Sequence, residues 1–416
     1  MTAVLRQRMR TGARVLCWSM AALICASALS CGGGGGRGLA AAPPGGGPSD
    51  ANVTSVTVDA GPDGGSVNTL FTSVTVCVPG SSTNCQTIDH VEVDTASFGL
   101  RLLRSAFTLN LPLQTATGGN SLAECTVFAD GYSWGPVAAA DVRIGGESAS
   151  SVPIQVIGDP GFAQVPADCS GAGATEEDSV ATFGANGILG IGVFNQDCGP
   201  VCVTTAEPQF YYSCSAAQCQ ATTVPLEAQV TNPVTLFATD NNGSLIELPS
   251  VPPSGAAAVT GTLTFGIDTQ ANNESGSETV LTVDPNYGYL TVVYGGAPLS
   301  QSFVDTGSNA IFFNDANVPQ CTDTNYTDFY CPGTVQNLSA TLQGNNGVSA
   351  AVNFSVGNAQ QMTTNSPAFN AFPQLAGPLP LTAAFDFGLP FYYGRRVATV
   401  LESRSTSAGT GPYVAF

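Results

Sequence analysis

The chain has 416 residues, and its 11 basic residues, every one an arginine, face 30 acids for a formal net charge of −19. Four arginines and no acid lie within the first 30 residues, so the remainder sets seven arginines against all 30 acids; that excess excludes nucleic acid as a partner and disfavours an anionic membrane surface. A single histidine, His90, excludes a multi-histidine metal centre, while 43% hydrophobic residues suffice for a core and 48 glycines with 27 prolines predict short strands and turns rather than long helices.

Arg6, Arg8, Arg10 and Arg14 precede the apolar run 15–29, the order of a secretory signal peptide and too short for a comfortable membrane span. The run ends in Ala28-Leu29-Ser30-Cys31 before five glycines, which resembles a bacterial lipobox that would lipidate Cys31, with Ala28 and Leu29 transposed from the usual order. Residues 1–31 read as signal peptide and lipobox, and 32–51, rich in Gly, Ala and Pro, as a flexible tether. The expectation is an exported protein, lipid-anchored to the bacterial cell envelope at the outer membrane facing periplasm or exterior. It would touch the membrane only through its lipidated N-terminus; plain secretion is the alternative.

Ten cysteines follow the leader, an even count that predicts five disulfides in an oxidising compartment. Short spacings pair Cys77 with Cys85, Cys214 with Cys219 and Cys321 with Cys331, and leave the pairing of Cys125, Cys169, Cys198 and Cys202 open. Neither Cys198-x3-Cys202 nor Cys214-x4-Cys219 has the close pair of a zinc ribbon, so no metal and no cofactor is expected.

From residue 53 onward apolar and polar residues alternate in short runs broken by Gly, Asn and Pro. Strands are predicted at 73–78, 90–93, 137–144, 152–157, 233–238, 244–248, 261–267, 280–283, 289–293 and 350–356, with helix at 100–106 and a turn near 226–230. The class is all-β with minor helix. Gly131-x-Ser133-x-Gly135 spells a nucleophile elbow, but Pro136 follows closely, the next run reads as strand and His90 lies upstream, so a Ser/His/Asp triad is rejected. His90 and Glu92 alternate with Asp94 along one strand, which makes either a candidate to tune its pKa; Asp240-Asn241-Asn242-Gly243 reads as a turn rather than a calcium loop.

The most informative pattern is an internal echo. Val93-Asp94-Thr95-Ala96-Ser97, followed by Leu100, Leu102 and Leu103, recurs as Val304-Asp305-Thr306-Gly307-Ser308, followed by Ile311, Phe312 and Phe313. Each copy ends an apolar strand and falls early in its half, as in two duplicated lobes, here 52–230 and 231–416.

These residues resemble the paired Asp-Thr-Gly loops of pepsin-like aspartic peptidases, which implies a bilobal double β-barrel with a cleft between the lobes. Phe128 to Gly135, including Asp130, Gly131, Tyr132 and Trp134, resembles the flap hairpin; Ile188-Leu189-Gly190 and Phe387-Gly388 resemble the segments that support the two loops from beneath. The likeness covers residues 65–416, and the whole chain is similar to a family of bacterial exported lipoproteins of unknown function. By resemblance, Asp94 and Asp305 form a catalytic dyad, Thr95 and Thr306 lock the loops together across the lobes, and Ser97 and Ser308 bond the outer carboxylate oxygens. The implied activity is an aspartic endopeptidase, a monomer holding a peptide or protein ligand in the interlobe cleft. Ala96 stands where the family has glycine and Phe128 where it has a flap tyrosine, which motivates the alternative of a catalytically inactive binding or structural lipoprotein that keeps the cleft.

Overall fold

The computed structural model describes residues 51–129, 131–171 and 175–416. The signal peptide, Cys31, the tether up to residue 50 and Asp130 lie outside the described residues.

The chain folds into two β lobes. A fifteen-stranded sheet crosses both halves: Val53–Val58 pairs with Val259–Phe265, which continues through Gly243–Glu247 and Arg396–Val400 to Tyr413–Ala415. A seven-stranded sheet belongs to the second half alone.

Burial follows the sequence pattern and explains where the acids end up. Ser73–Val76 within strand Leu70–Cys77, and Thr87–Asp89 near the start of Cys85–Asp94, alternate between buried and more exposed positions, as strands with one wet face do. From Val91 onward the alternation stops and every residue to Asp94 is buried, because Gly187–Ile191 lies parallel alongside. The second half repeats the plan: Ala297–Val304 runs parallel to Asp386–Phe387, and Ile311–Phe312 returns antiparallel on the far side of that strand. In each lobe an aspartate loop therefore joins two strands that straddle a third. The registers correspond, since Ile188 lies opposite Glu92, two residues before Asp94, and Asp386 lies opposite Phe303, two before Asp305.

Two local expectations are corrected. Residues 100–106 are not helical: Phe98–Leu103 is a strand with all six residues buried, paired with Gly187–Ile191 on one edge and Glu147–Ile157 on the other, and only Arg104–Ala106 makes a 3-10 turn. A run buried on both faces has no period to read. Residues 233–238 are not a strand either, because Pro233 opens the 3-10 turn Pro233–Leu236 and the Asn232 side chain accepts the Val234 N–H to cap it.

All three short disulfides are formed, and the four remaining cysteines pair as Cys125–Cys169 and Cys198–Cys202. Cys125–Cys169 closes the longest loop, 44 residues, for which chain entropy alone gives about 4 kcal/mol. Among the described residues no helix is long and apolar enough to cross a membrane.

Candidate active site

Both aspartates lie in buried loops, Asp94 and Asp305 each at 0% exposure. Each loop folds back on its own carboxylate. The Ala96 and Ser97 N–H groups donate to Asp94 Oδ1 at 2.7 and 3.1 Å, and Ser97 Oγ donates to Oδ2 at 2.6 Å. Gly307 N donates to Asp305 Oδ1 at 2.6 Å and Ser308 Oγ to Oδ2 at 2.8 Å. The matching distances show that alanine at position 96 leaves the loop undistorted, and Ala96 is not among the residues with positive φ, so its backbone does not require glycine.

The threonines lock the loops reciprocally. Thr95 N donates to Thr306 Oγ1 at 3.2 Å and Thr306 N to Thr95 Oγ1 at 3.1 Å, while each hydroxyl donates onward to a carbonyl of the other lobe, Thr306 Oγ1 to Val93 O at 2.7 Å and Thr95 Oγ1 to Val304 O at 3.5 Å. The Tyr392 hydroxyl joins Thr95 Oγ1 at 2.9 Å. This lattice brings the carboxyls together: a Cβ on Gly307, in the Asp305 loop, would meet Asp94 Cγ at 2.8 Å, and the charge of Asp94 acts on Asp305. Burial first, then the negative charges of Asp94 and Asp386, hold Asp305 well above the usual carboxylate range. Two buried like charges facing one another cannot both ionise cheaply, so one proton stays on the pair.

The support segments lie where the resemblance implies. A Cβ on Gly190 would meet Phe98 N at 2.5 Å and one on Gly388 would meet Ser308 O at 2.6 Å, so each glycine admits an aspartate loop directly against its strand. Ile188, Leu189 and Phe387 are buried beside them.

A third acid, Asp386, was not singled out as a site residue from sequence. It is fully buried, and neither carboxyl oxygen has a hydrogen-bond partner among the described residues. The nearby Ser308 hydroxyl favours its charged form but already donates to Asp305 Oδ2. Burial, reinforced by the charge of Asp94, holds Asp386 well above the carboxylate range. Its counterpart in the first lobe is the apolar Ile188. The legible signal was an acid inside the otherwise uncharged run 385–393.

The hairpin of Ser121–Val127 and Tyr132–Ile144 forms as expected, but its side chains are committed to the first lobe. Phe128 is buried in a cluster with Phe71, Leu103, Ile157, Phe183 and Ile188, meeting the Phe183 ring edge-on at 6.1 Å. Trp134 Nε1 donates to Phe162 O at 2.8 Å, and the Tyr132 hydroxyl bonds Glu176, so neither replaces a tyrosine hydroxyl over the dyad. Gly131 abuts the Glu177 side chain, and the bonds Tyr132 N to Thr175 O and Glu177 N to Tyr132 O pin the hairpin to the following segment.

Other candidates fall away from the site. His90 has φ +46° at a register shift between its strand and Leu70–Cys77, which turns its ring from the Asp94 face toward Asp59 and Asp89, both 3.4 Å away. Glu92 stays buried in the same strand. Ser133 lies in the strand Tyr132–Ile144, second from its start, with Oγ bonded to Gln155 at 3.0 Å, not at an elbow. Asp240 accepts hydrogen bonds from Thr269 and Gln270 and ends in turn chemistry.

Beside the dyad lies a pocket of about 550 Å³, open at its mouth and drawn from both lobes. Thr95, Ala96 and Phe98 contribute one wall; Tyr289 and Phe303 form the other, with Tyr287 stacked on Tyr289 at 5.9 Å. The wall is mainly apolar, suited to an uncharged side chain.

Comparison with known proteins places this geometry. A family described as "Protein of unknown function (DUF3443)" matches residues 48–416. No curated protein matches the chain by sequence. Among solved structures, the aspartic proteinase from Irpex lacteus superposes with a TM-score of 0.51 at 16% identity, covering 87% of this chain and 96% of that one. The fold is that of pepsin-like aspartic proteinases.

Proposed function

The chain belongs to the DUF3443 family, and from the geometry of its paired carboxyls we propose that it is an aspartic endopeptidase working at acid pH. The observation that carries the reading is the buried pair of loops that present Asp94 and Asp305, each carboxyl held by its own loop and the two loops joined through reciprocal threonines. A water held between the two carboxyls is activated by Asp94 as base and attacks the peptide carbonyl carbon, while the proton on Asp305 passes to the carbonyl oxygen. The proton taken from water then moves from Asp94 to the leaving nitrogen as the C–N bond breaks, and one hydroxyl of the tetrahedral diol returns its proton to Asp305 as the carboxyl product forms, so neither metal nor covalent intermediate is needed. The apolar pocket beside Ala96 accepts an uncharged side chain next to the scissile bond. We further propose an exported protein tethered to the cell envelope through Cys31, with an unfolded peptide segment as its cleft ligand.

The test is incubation of the oxidised full chain with an unfolded, disulfide-free protein between pH 3 and 7. Cleavage that vanishes in Asp94→Asn and Asp305→Asn, with melting temperatures maintained, supports the reading; no cleavage at any pH overturns it. A second reading, a binding protein that keeps the cleft without turnover, is favoured by the pinned hairpin, whose Phe128 packs inward. It predicts peptide binding without cleavage.

A further inference from the structure

On the second lobe, apart from the dyad cleft, an open pocket of about 750 Å³ is lined by Ser250, Asn353, Phe354, Phe391, Tyr393 and Arg395, among others. Its only cation is Arg395. Three arginines in partly or fully buried settings find acids, Arg101 with Glu124 and Asp197, Arg104 with Asp159, and Arg396 with Glu278, while the half-buried Arg404 donates to Thr235 O. Arg395 pairs with none among the described residues. Its Nη1 donates to Phe391 O and its guanidinium lies over the Phe391 ring, 4.5 Å from the centroid. Those contacts fix the plane of the guanidinium and leave the Nε and Nη2 edge without an acceptor among the described residues.

A half-buried charge with no counter-ion is costly to keep, and burial does lower the Arg395 pKa. Capping the turn Leu389–Tyr392 needs one donor, which lysine or glutamine could supply, so the second edge has no structural use. Two parallel N–H donors match the two oxygens of a carboxylate. One guanidinium, in a chain with 30 acids, suits a single negative charge better than two. Phe354, half-buried, offers apolar surface in the same pocket, backed by the buried rings of Phe391 and Tyr393, and the Ser250 hydroxyl and Asn353 amide can meet an adjoining peptide group.

We propose that this pocket binds a monocarboxylate with an apolar or aromatic body, such as the free C-terminal residue of a peptide, seated on the Nε and Nη2 edge of Arg395. Binding is independent of hydrolysis. The probe is N-acetyl-phenylalanine, titrated calorimetrically into the full chain at pH 6 and low salt, beside its neutral amide and inorganic phosphate. The acid binds at one site; the amide binds at least tenfold more weakly, and phosphate more weakly than the acid. Arg395→Gln loses at least tenfold in affinity for the acid, and Arg395→Lys, which keeps charge without the fork, falls between. Tyr289→Ala, in the other pocket, leaves affinity unchanged, and melting temperatures report that each variant is folded. Equal binding of acid and amide, tighter binding of phosphate, insensitivity to Arg395→Gln, loss through Tyr289→Ala, or no binding of the acid at millimolar concentration would each overturn the proposal.

Discussion

Replacing Gly307 by alanine probes the dyad from a side on which the structure leaves no room. A Cβ there would stand 2.8 Å from Asp94 Cγ, 2.9 Å from Oδ1 and 3.0 Å from Oδ2, against the 3.4 Å at which ordinary contact begins. The carboxyl must retreat by about half an ångström, yet three donors from Ala96 and Ser97 hold it. Weakening even one hydrogen bond to a charged group costs about 1.5–3 kcal/mol, and overpacking adds about 1–3 kcal/mol against folding. If about 2–3 kcal/mol of that is lost from the transition state, kcat/KM falls about 30- to 150-fold, with the melting temperature lowered in parallel. The assay pairs steady-state cleavage of an unfolded substrate with the affinity of a peptide carrying a tetrahedral hydroxyl isostere at the scissile bond, which reports the dyad's geometry without turnover. Ala96→Gly supplies the contrast, since the alanine already coexists with undistorted loop hydrogen bonds, and changes kcat/KM by no more than about threefold. Wild-type cleavage and wild-type inhibitor affinity in Gly307→Ala would refute the reasoning.

Three further outcomes are expected. Asp386→Asn removes a charge that opposes ionisation of Asp305, so the alkaline limb of the pH–rate profile moves toward lower pH; an unmoved limb would disconnect Asp386 from the dyad. Stability should peak in mild acid. Glu147, raised to about 6 by burial and by Asp240, binds more protons folded than unfolded, as do Asp305, Asp386 and Asp197; stability therefore falls as pH climbs through 6, by about 2 kcal/mol for Glu147 alone. Asp268 is lowered to about 2, chiefly by hydrogen bonds from Ser275 and Ser407 that outweigh its burial, and Glu278 and Asp315 are also lowered, so stability falls again as pH drops from about 4 toward 2. A melting temperature that rises steadily from pH 4 to 8 would contradict this. Replacing Cys125 and Cys169 together by alanine should cost up to about 4 kcal/mol in denaturant titration and free the hairpin, read as faster amide exchange at residues 125–134; unchanged exchange would mean that the backbone bonds alone pin it.

What sequence could disclose was local and repeated. Asp94 and Ser97 belong to a short motif whose bonds to the carboxylate reach only two or three residues, and its recurrence at Asp305 signalled the two-lobe plan without any tertiary information. The cysteine pairs closing loops of five to ten residues were legible for the same reason, whereas Cys125 and Cys169, 44 apart, were not. Residues 100–106 defeated the helix expectation because burial on both faces erases periodicity. Pro233 was misread since its turn depends on a cap from Asn232 rather than on hydropathy. Asp386 escaped because an acid in an apolar run says nothing about which neighbours the sheet register will bring to it. The inward turn of Phe128 depends on Phe183, 55 residues later, and no spacing rule connects the two.

The central claim is that Asp94 and Asp305 share one proton and hydrolyse peptides with it. The most direct measurement is kcat/KM for the oxidised full chain on an unfolded peptide from pH 2 to 8. The expected profile is a bell whose acid limb marks protonation of the single charge and whose alkaline limb, displaced above the ordinary carboxylate range, marks loss of the shared proton. Activity that stays flat through pH 8, or that survives in Asp305→Asn, would contradict it.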